Sequence, residues 1–107
     1  MAAMNINKEQ FESMIHGEKP ILVDFWAPWC SYCRRIGPAY DKIAQKYEDS
    51  LIVAKINIDD FPQLAEAEAI EVIPTLVLYR NGQAIDSIVA PESLAVIDRF
   101  IQNALNQ

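Results

Sequence analysis

Cys30 and Cys33 are the only cysteines in the chain, and they stand three apart within Trp29-Cys30-Ser31-Tyr32-Cys33. A continuous apolar run, Pro20 to Trp26, precedes them, and apolar residues at helical spacing follow. In the first turn of a helix, residues three apart share a face, with Cα atoms close enough to bridge. Free backbone N–H groups and the helix dipole stabilise an anion there, so Cys30 is expected as a thiolate, the nucleophile of disulfide exchange. Cys33 is placed to resolve the mixed disulfide. Arg34 either adds positive potential to Cys30 or belongs with Arg35, Lys42 and Lys46 to a solvated helix face. Two other readings compete: an inert pair, and half of a metal site shared between two chains. A structural zinc site within one chain needs four ligands, and the single histidine, His16, is distant in sequence.

Asp24 is the one acid in the apolar run. Alternation along a strand places it on one face with Leu22 and Trp26. A carboxylate so placed is desolvated and its pKa rises, which suits a proton acceptor for Cys33. The competing reading puts Asp24 at the strand end, bonded to the next loop. Lys55, the one charge in the next apolar run, is either the partner of Asp24 or an aliphatic stem reaching for solvent. Trp29, beside the thiol, reads as a partly exposed ring or as core. Pro74 opens a strand, where it supplies no ladder donor; a cis peptide there would turn the Ile73 backbone toward an extended substrate.

These residues need elements to hold them. A first helix is predicted over 5–16, capped by Asn5 or Asn7, with Phe11, Met14 and Ile15 inward and Gly17 ending it. His16 reads as a helix C-terminal residue facing the dipole. The run 20–26 reads as a strand covered on both faces. A long helix follows over 31–47, with Ile36, Tyr40, Ile43 and Tyr47 on one face and a kink at Pro38. A second buried strand spans 51–58. Asp59 and Asp60 then cap a short helix starting near Pro62. Strands over 75–79 and 83–89 flank Asn81-Gly82, a strong hairpin signal. A closing helix begins with Pro91 in its first turn and carries Leu94, Ile97 and Ile101. The order implies an α/β fold, a central mixed sheet with helices on both faces.

With 107 residues the chain has room for one domain, 1–107, and a hydrophobic content of 51% supplies a core. No apolar stretch approaches the ~20 residues of a membrane span. Nine basic against fifteen acidic residues give a net charge of −6, which argues against nucleic acid and anionic membrane as partners. Lys8, Glu9 and Glu12 interrupt any secretory leader, so a cytoplasmic protein is expected.

Val23-Asp24-Phe25-Trp26-Ala27-Pro28-Trp29-Cys30-x-x-Cys33 resembles the active-site segment of thioredoxins, and the likeness extends over nearly the whole chain. Gly37-Pro38, Lys55-Ile56-Asn57-Ile58-Asp59 and Ile73-Pro74-Thr75 fall where that family has its kinking proline, its second buried strand and its cis-proline loop. The resemblance implies a thioredoxin fold and a protein dithiol-disulfide oxidoreductase that reduces protein disulfides. Cys30 becomes the attacking thiolate, Cys33 the resolving thiol, and Asp24 with Lys55 the proton relay. Trp29, Ile58 and Ile73 become a docking surface for disulfide-containing protein substrates, with Ser31, Tyr32 and Pro74 counted to the same substrate-binding surface. Pro74 is then expected to be cis. It also implies a monomer with no bound cofactor and no metal, supplied with electrons from NADPH by thioredoxin reductase.

Three departures from the family pattern bear on function. Ser31-Tyr32 replaces the usual Gly-Pro, and the tyrosine is more like glutaredoxins. A less rigid helix start, and a Ser31 hydroxyl bonded to the Cys30 thiolate, would favour the reduced form and a more oxidising potential. Val72 and Ala90 replace residues that are small and glycine, respectively, adding bulk beside the substrate path. Two alternatives follow: a thiol oxidase or isomerase of higher potential, and a protein-binding module in which redox chemistry is secondary.

Overall fold

The computed structural model describes residues 2–107. Nine elements follow in the order β1 (Met4–Asn5), α1 (Lys8–Met14), β2 (Ile21–Trp26), α2 (Ser31–Lys46), β3 (Ile52–Asn57), α3 (Pro62–Ala67), β4 (Thr75–Arg80), β5 (Gln83–Val89) and α4 (Leu94–Leu105). The strands form one sheet in the order β1-β3-β2-β4-β5. β1, β3 and β2 run parallel; β4 and β5 are antiparallel to their neighbours.

β2 lies at the centre, and the alternation of its side chains sorts the core into two layers. Leu22 packs with Ile36, Tyr40, Ile43, Ile97 and Ile101 from α2 and α4. Ile21, Val23 and Phe25 point the other way, to Phe11 of α1 and Leu64 of α3. Burial on both faces explains why the segment reads as an unbroken apolar run. Phe11 meets Phe25 and Tyr79 edge-on, with ring centroids 6.4 and 5.1 Å away. α2 continues through Pro38, and its predicted inner face, Ile36, Tyr40, Ile43 and Tyr47, is buried. The Tyr40 hydroxyl donates to the carbonyls of Leu22 and Ala54, tying the helix to two strands.

The helix ends differ in detail from those predicted, and α1 stops at Met14, with Ile15 as its C-cap, before Gly17. Residues 4–5 are a short edge strand, in register with Ala54 and Lys55, and the helix starts only after Asn7. Asn7 and Gln10 form a reciprocal capping box, which starts the helix there. α3 is capped by the backbone of Phe61 without side-chain help, not by Asp59 or Asp60. α4 starts after Ser93, whose hydroxyl accepts the Val96 N–H at 3.2 Å; Pro91 lies two residues ahead of that cap. His16 lies beyond the end of α1, and its ring fills the space over Gly82, where a Cβ would come within 2.5 Å of it. Asn81 and Gly82 take φ of 56° and 79°, the two left-handed positions of a tight hairpin turn.

Candidate active site

The loop after β2 delivers Cys30 to the start of α2, where it is the N-cap residue, and its sulfur accepts the Cys33 N–H at 3.2 Å. Cys30 and Cys33 are joined as a disulfide, with Cα atoms 5.3 Å apart. The two sulfurs have different surroundings. Cys30 is partly exposed, whereas Cys33 is 4% exposed, on the inner face of α2 one turn before Ile36. Cys30 is thus the more accessible of the two residues.

Three elements surround Cys30. Trp29 is 67% exposed, and its indole N–H donates to the Asp59 carboxylate at 3.0 Å, which holds the ring beside the disulfide. The ring is thus neither core nor loose. Across from it, the Ile73 carbonyl oxygen lies 4.0 Å from Cys30 Sγ, and the Ile73–Pro74 peptide is cis. Val72 is exposed, and its carbonyl accepts the Thr75 hydroxyl, bracing this loop. Pro74 itself is buried, so the surface offered to a substrate is Val72 and Ile73. Ile58 is partly buried against the α1/α3-side layer, one residue before Asp59.

Tyr32, counted to the docking surface, is tied to the loop after β5. Its hydroxyl donates to the carbonyls of Ala90 and Pro91, at 3.1 and 2.9 Å, and the Arg35 guanidinium stacks 4.9 Å from its ring centroid. Ser31 is exposed and, among the described residues, no hydrogen bond joins its hydroxyl to Cys30; the donor to the sulfur is the Cys33 N–H. Arg34 has a contact of its own in the turn before the disulfide. It donates to the Pro28 carbonyl at 2.6 Å, bracing the turn that presents Trp29 and Cys30.

Asp24 is 1% exposed on the same side of β2 as Leu22, under α2 and near enough to Tyr40 to act on its hydroxyl. Desolvation pushes its pKa up to about 7, and the positive charge of Lys55 offsets part of that rise. Lys55 is the register partner of Asp24 on β3, yet it makes no ion pair with it. Its ammonium sits instead 4.2 Å from the Trp26 ring centroid, a cation–π contact. Asp24 Oδ1 and Trp26 Nε1 are buried without a hydrogen-bond partner in the protein. Among the described residues, no cluster of three or more His, Cys, Asp or Glu side chains is arranged to hold a metal ion.

The fold thus gathers Cys30, Cys33, Trp29 and Ile73 at one end of the sheet, with Asp24 and Lys55 in the strands below. Two participants carry no local signal as part of the site. Asp59 reads in sequence as a helix cap and Pro91 as the first turn of a helix; both make contacts across sequence that no local pattern announces.

The family model described as Thioredoxin matches residues 2–103 of the chain. Similar proteins include Thioredoxin of Porphyra purpurea, 41% identical over 90% of this chain and 86% of that protein. Thioredoxin 1 of Nostoc sp. is 37% identical over 97% of this chain and 98% of its own length. Thioredoxin M-type, chloroplastic, of Chlamydomonas reinhardtii is 36% identical over 94% of this chain and 73% of that protein.

Proposed function

The chain belongs to the thioredoxin family and is a protein dithiol-disulfide oxidoreductase, and we propose that Cys30 is its attacking thiolate, Cys33 its resolving thiol and Asp24 the acceptor of the Cys33 proton. The observation that carries this assignment is the unequal burial of the two sulfurs at the start of α2.

The Cys30 thiolate attacks one sulfur of a protein disulfide; a bond from Cys30 to the substrate forms as the substrate's own S–S bond breaks, and the freed sulfur leaves as a thiolate. Cys33, its proton passed to Asp24, then attacks Cys30 Sγ. The intramolecular disulfide forms, the mixed disulfide breaks, and the second substrate thiolate departs and takes up a proton. Two electrons pass from the dithiol to the substrate. An acceptor with a pKa near 7 can take the proton from Cys33 and release it at neutral pH. Lys55 acts on Asp24 through space, moderating the rise in its pKa. Trp29, Ile58 and Ile73 form the docking surface, with Ser31, Tyr32 and Pro74 contributing at its edge or in support of it.

Family members need no bound cofactor. In this reading the cycle is reloaded by NADPH through thioredoxin reductase, because the chain has no further cysteine to act as a relay. Residues 1–107 act as a single thioredoxin domain and as a monomer, since one chain carries both sulfurs of the cycle. The cytoplasm, which keeps thiols reduced, is the compartment that suits this direction of exchange. No helix among the described residues is long and apolar enough to cross a membrane, and the net charge of −6 disfavours polyanions.

Equilibration against defined dithiol/disulfide buffers tests the direction. We expect a Cys30–Cys33 potential between the ~−270 mV of thioredoxin and the ~−200 mV of glutaredoxins, raised within that range by Ser31-Tyr32. A value near the ~−180 to −120 mV of isomerases and oxidases would overturn the reductase reading in favour of disulfide donation or shuffling.

A further inference from the structure

Ala90 has a φ of 45°, in the left-handed region that a residue with a Cβ enters against a steric penalty. Its two backbone polar groups are both engaged by the rim of the site. The Ala90 N–H donates to the Pro74 carbonyl at 2.9 Å, and the Ala90 carbonyl accepts the Tyr32 hydroxyl at 3.1 Å. The same hydroxyl lies 2.9 Å from the Pro91 carbonyl, and Arg35 covers the ring face. One strained residue therefore joins the start of α2 to the Ile73–Pro74 loop, whose carbonyl stands 4.0 Å from Cys30 Sγ.

We propose that Tyr32 is a positioning and specificity-determining residue: its hydroxyl latches the β5–α4 loop across the site and holds the wall of the groove in which an extended, disulfide-bearing polypeptide lies against Ile73. The inference rests on the reductase reading of the same site and goes beyond it by assigning substrate selectivity to this contact. Without the hydroxyl, Ala90 has one fewer bond offsetting its strained φ and relaxes toward ordinary backbone angles, carrying its N–H away from Pro74. A polypeptide substrate spans that wall. A small disulfide needs only the Cys30 sulfur.

The test compares kcat/KM for insulin and for bis(2-hydroxyethyl) disulfide, with dithiothreitol as reductant. Tyr32→Phe is expected to lower the insulin-to-small-disulfide ratio about fivefold, the effect of losing one net hydrogen bond, and to do so through KM. Ala90→Gly added to Tyr32→Phe is expected to restore most of the ratio, because glycine adopts a φ of 45° without the Cβ penalty. An unchanged ratio, a change carried by kcat alone, or no recovery in the double variant would overturn the latch. Failure of the wild-type protein to reduce either disulfide would instead overturn the reductase reading. Thermal melts of both variants check folding. A general loss of structure would lower both rates together and leave the ratio unchanged, which counts against the latch.

Discussion

The two ends of α2 treat their polar groups in opposite ways. At the C-terminal end, Asp98 of α4 accepts hydrogen bonds from Lys46, at 2.8 Å, and from the Tyr47 hydroxyl, to which Gln102 donates in turn. These bonds, that of Lys46 foremost, hold the Asp98 carboxyl below its ordinary pKa. At the N-terminal end, Asp24 is buried, leaves Oδ1 without a partner, and is pushed up to about 7. The same residue type packs against the same helix, with opposite protonation behaviour. The difference fits the proposed mechanism: polar groups are partnered where α2 packs on α4, and Asp24, the proposed proton acceptor, keeps an unpartnered oxygen.

Several measurements would break or sharpen that contrast. The largest effect should come from Cys30→Ser, which removes the nucleophile; turnover of a protein disulfide should fall to background while the fold survives, as judged by circular dichroism. Asp24→Asn comes next. Because its folded pKa exceeds the unfolded value of 3.8, native Asp24 binds a proton that the unfolded chain gives up between about pH 4 and 7. Wild-type stability should therefore decline across that window from this group and level off above it. The variant should lack the decline and exceed wild type at pH 8 by on the order of 4 kcal/mol, measured by urea titration at both pH values. Resolution of the mixed disulfide by Cys33 should slow in the same variant, and an unchanged rate would remove Asp24 from the mechanism.

At the other end the expected effects are smaller and opposite in pH sense. Asp98 contributes stability that is present above its unfolded pKa and lost as pH falls below it, since its folded pKa is lowered. Tyr47→Phe should cost about 1 kcal/mol, the usual net value of a hydrogen bond, without changing disulfide exchange. Lys46→Ala should cost less than about 1 kcal/mol, because its side chain is 52% exposed and solvent screens the pair. Denaturant midpoints read both. An activity loss from Tyr47→Phe as large as that from Asp24→Asn would erase the distinction between the two ends.

Much of this was legible in the sequence because burial on both faces leaves a clear signature. β2 and β3 appear as apolar runs, and the single acid of β2 stands out against its neighbours. The helical spacing of Ile36, Tyr40, Ile43 and Tyr47 announces α2, and Cys30 and Cys33 mark its start. β1 was hidden because a two-residue strand is too short to show alternation. The partners of Trp29 and Tyr32 were hidden for another reason: Asp59 and Ala90 lie 30 and 58 residues away, and only the assembled sheet brings them close. Lys55 showed itself as a lone charge, but its resting place on Trp26 depends on side-chain direction between adjacent strands. In the disulfide the donor to the Cys30 sulfur is the Cys33 N–H, fixed by the helix turn, a backbone contact that the side-chain pattern does not announce.

The most direct test is a trapping experiment on the unequal cysteines. Cys33→Ser, reduced and mixed with an oxidised protein substrate, should accumulate a covalent adduct whose mapped linkage runs through Cys30. Cys30→Ser under the same conditions should accumulate none, because Cys33 is 4% exposed. An adduct through Cys33 forming as fast as one through Cys30 would contradict the assignment of attacking and resolving sulfurs.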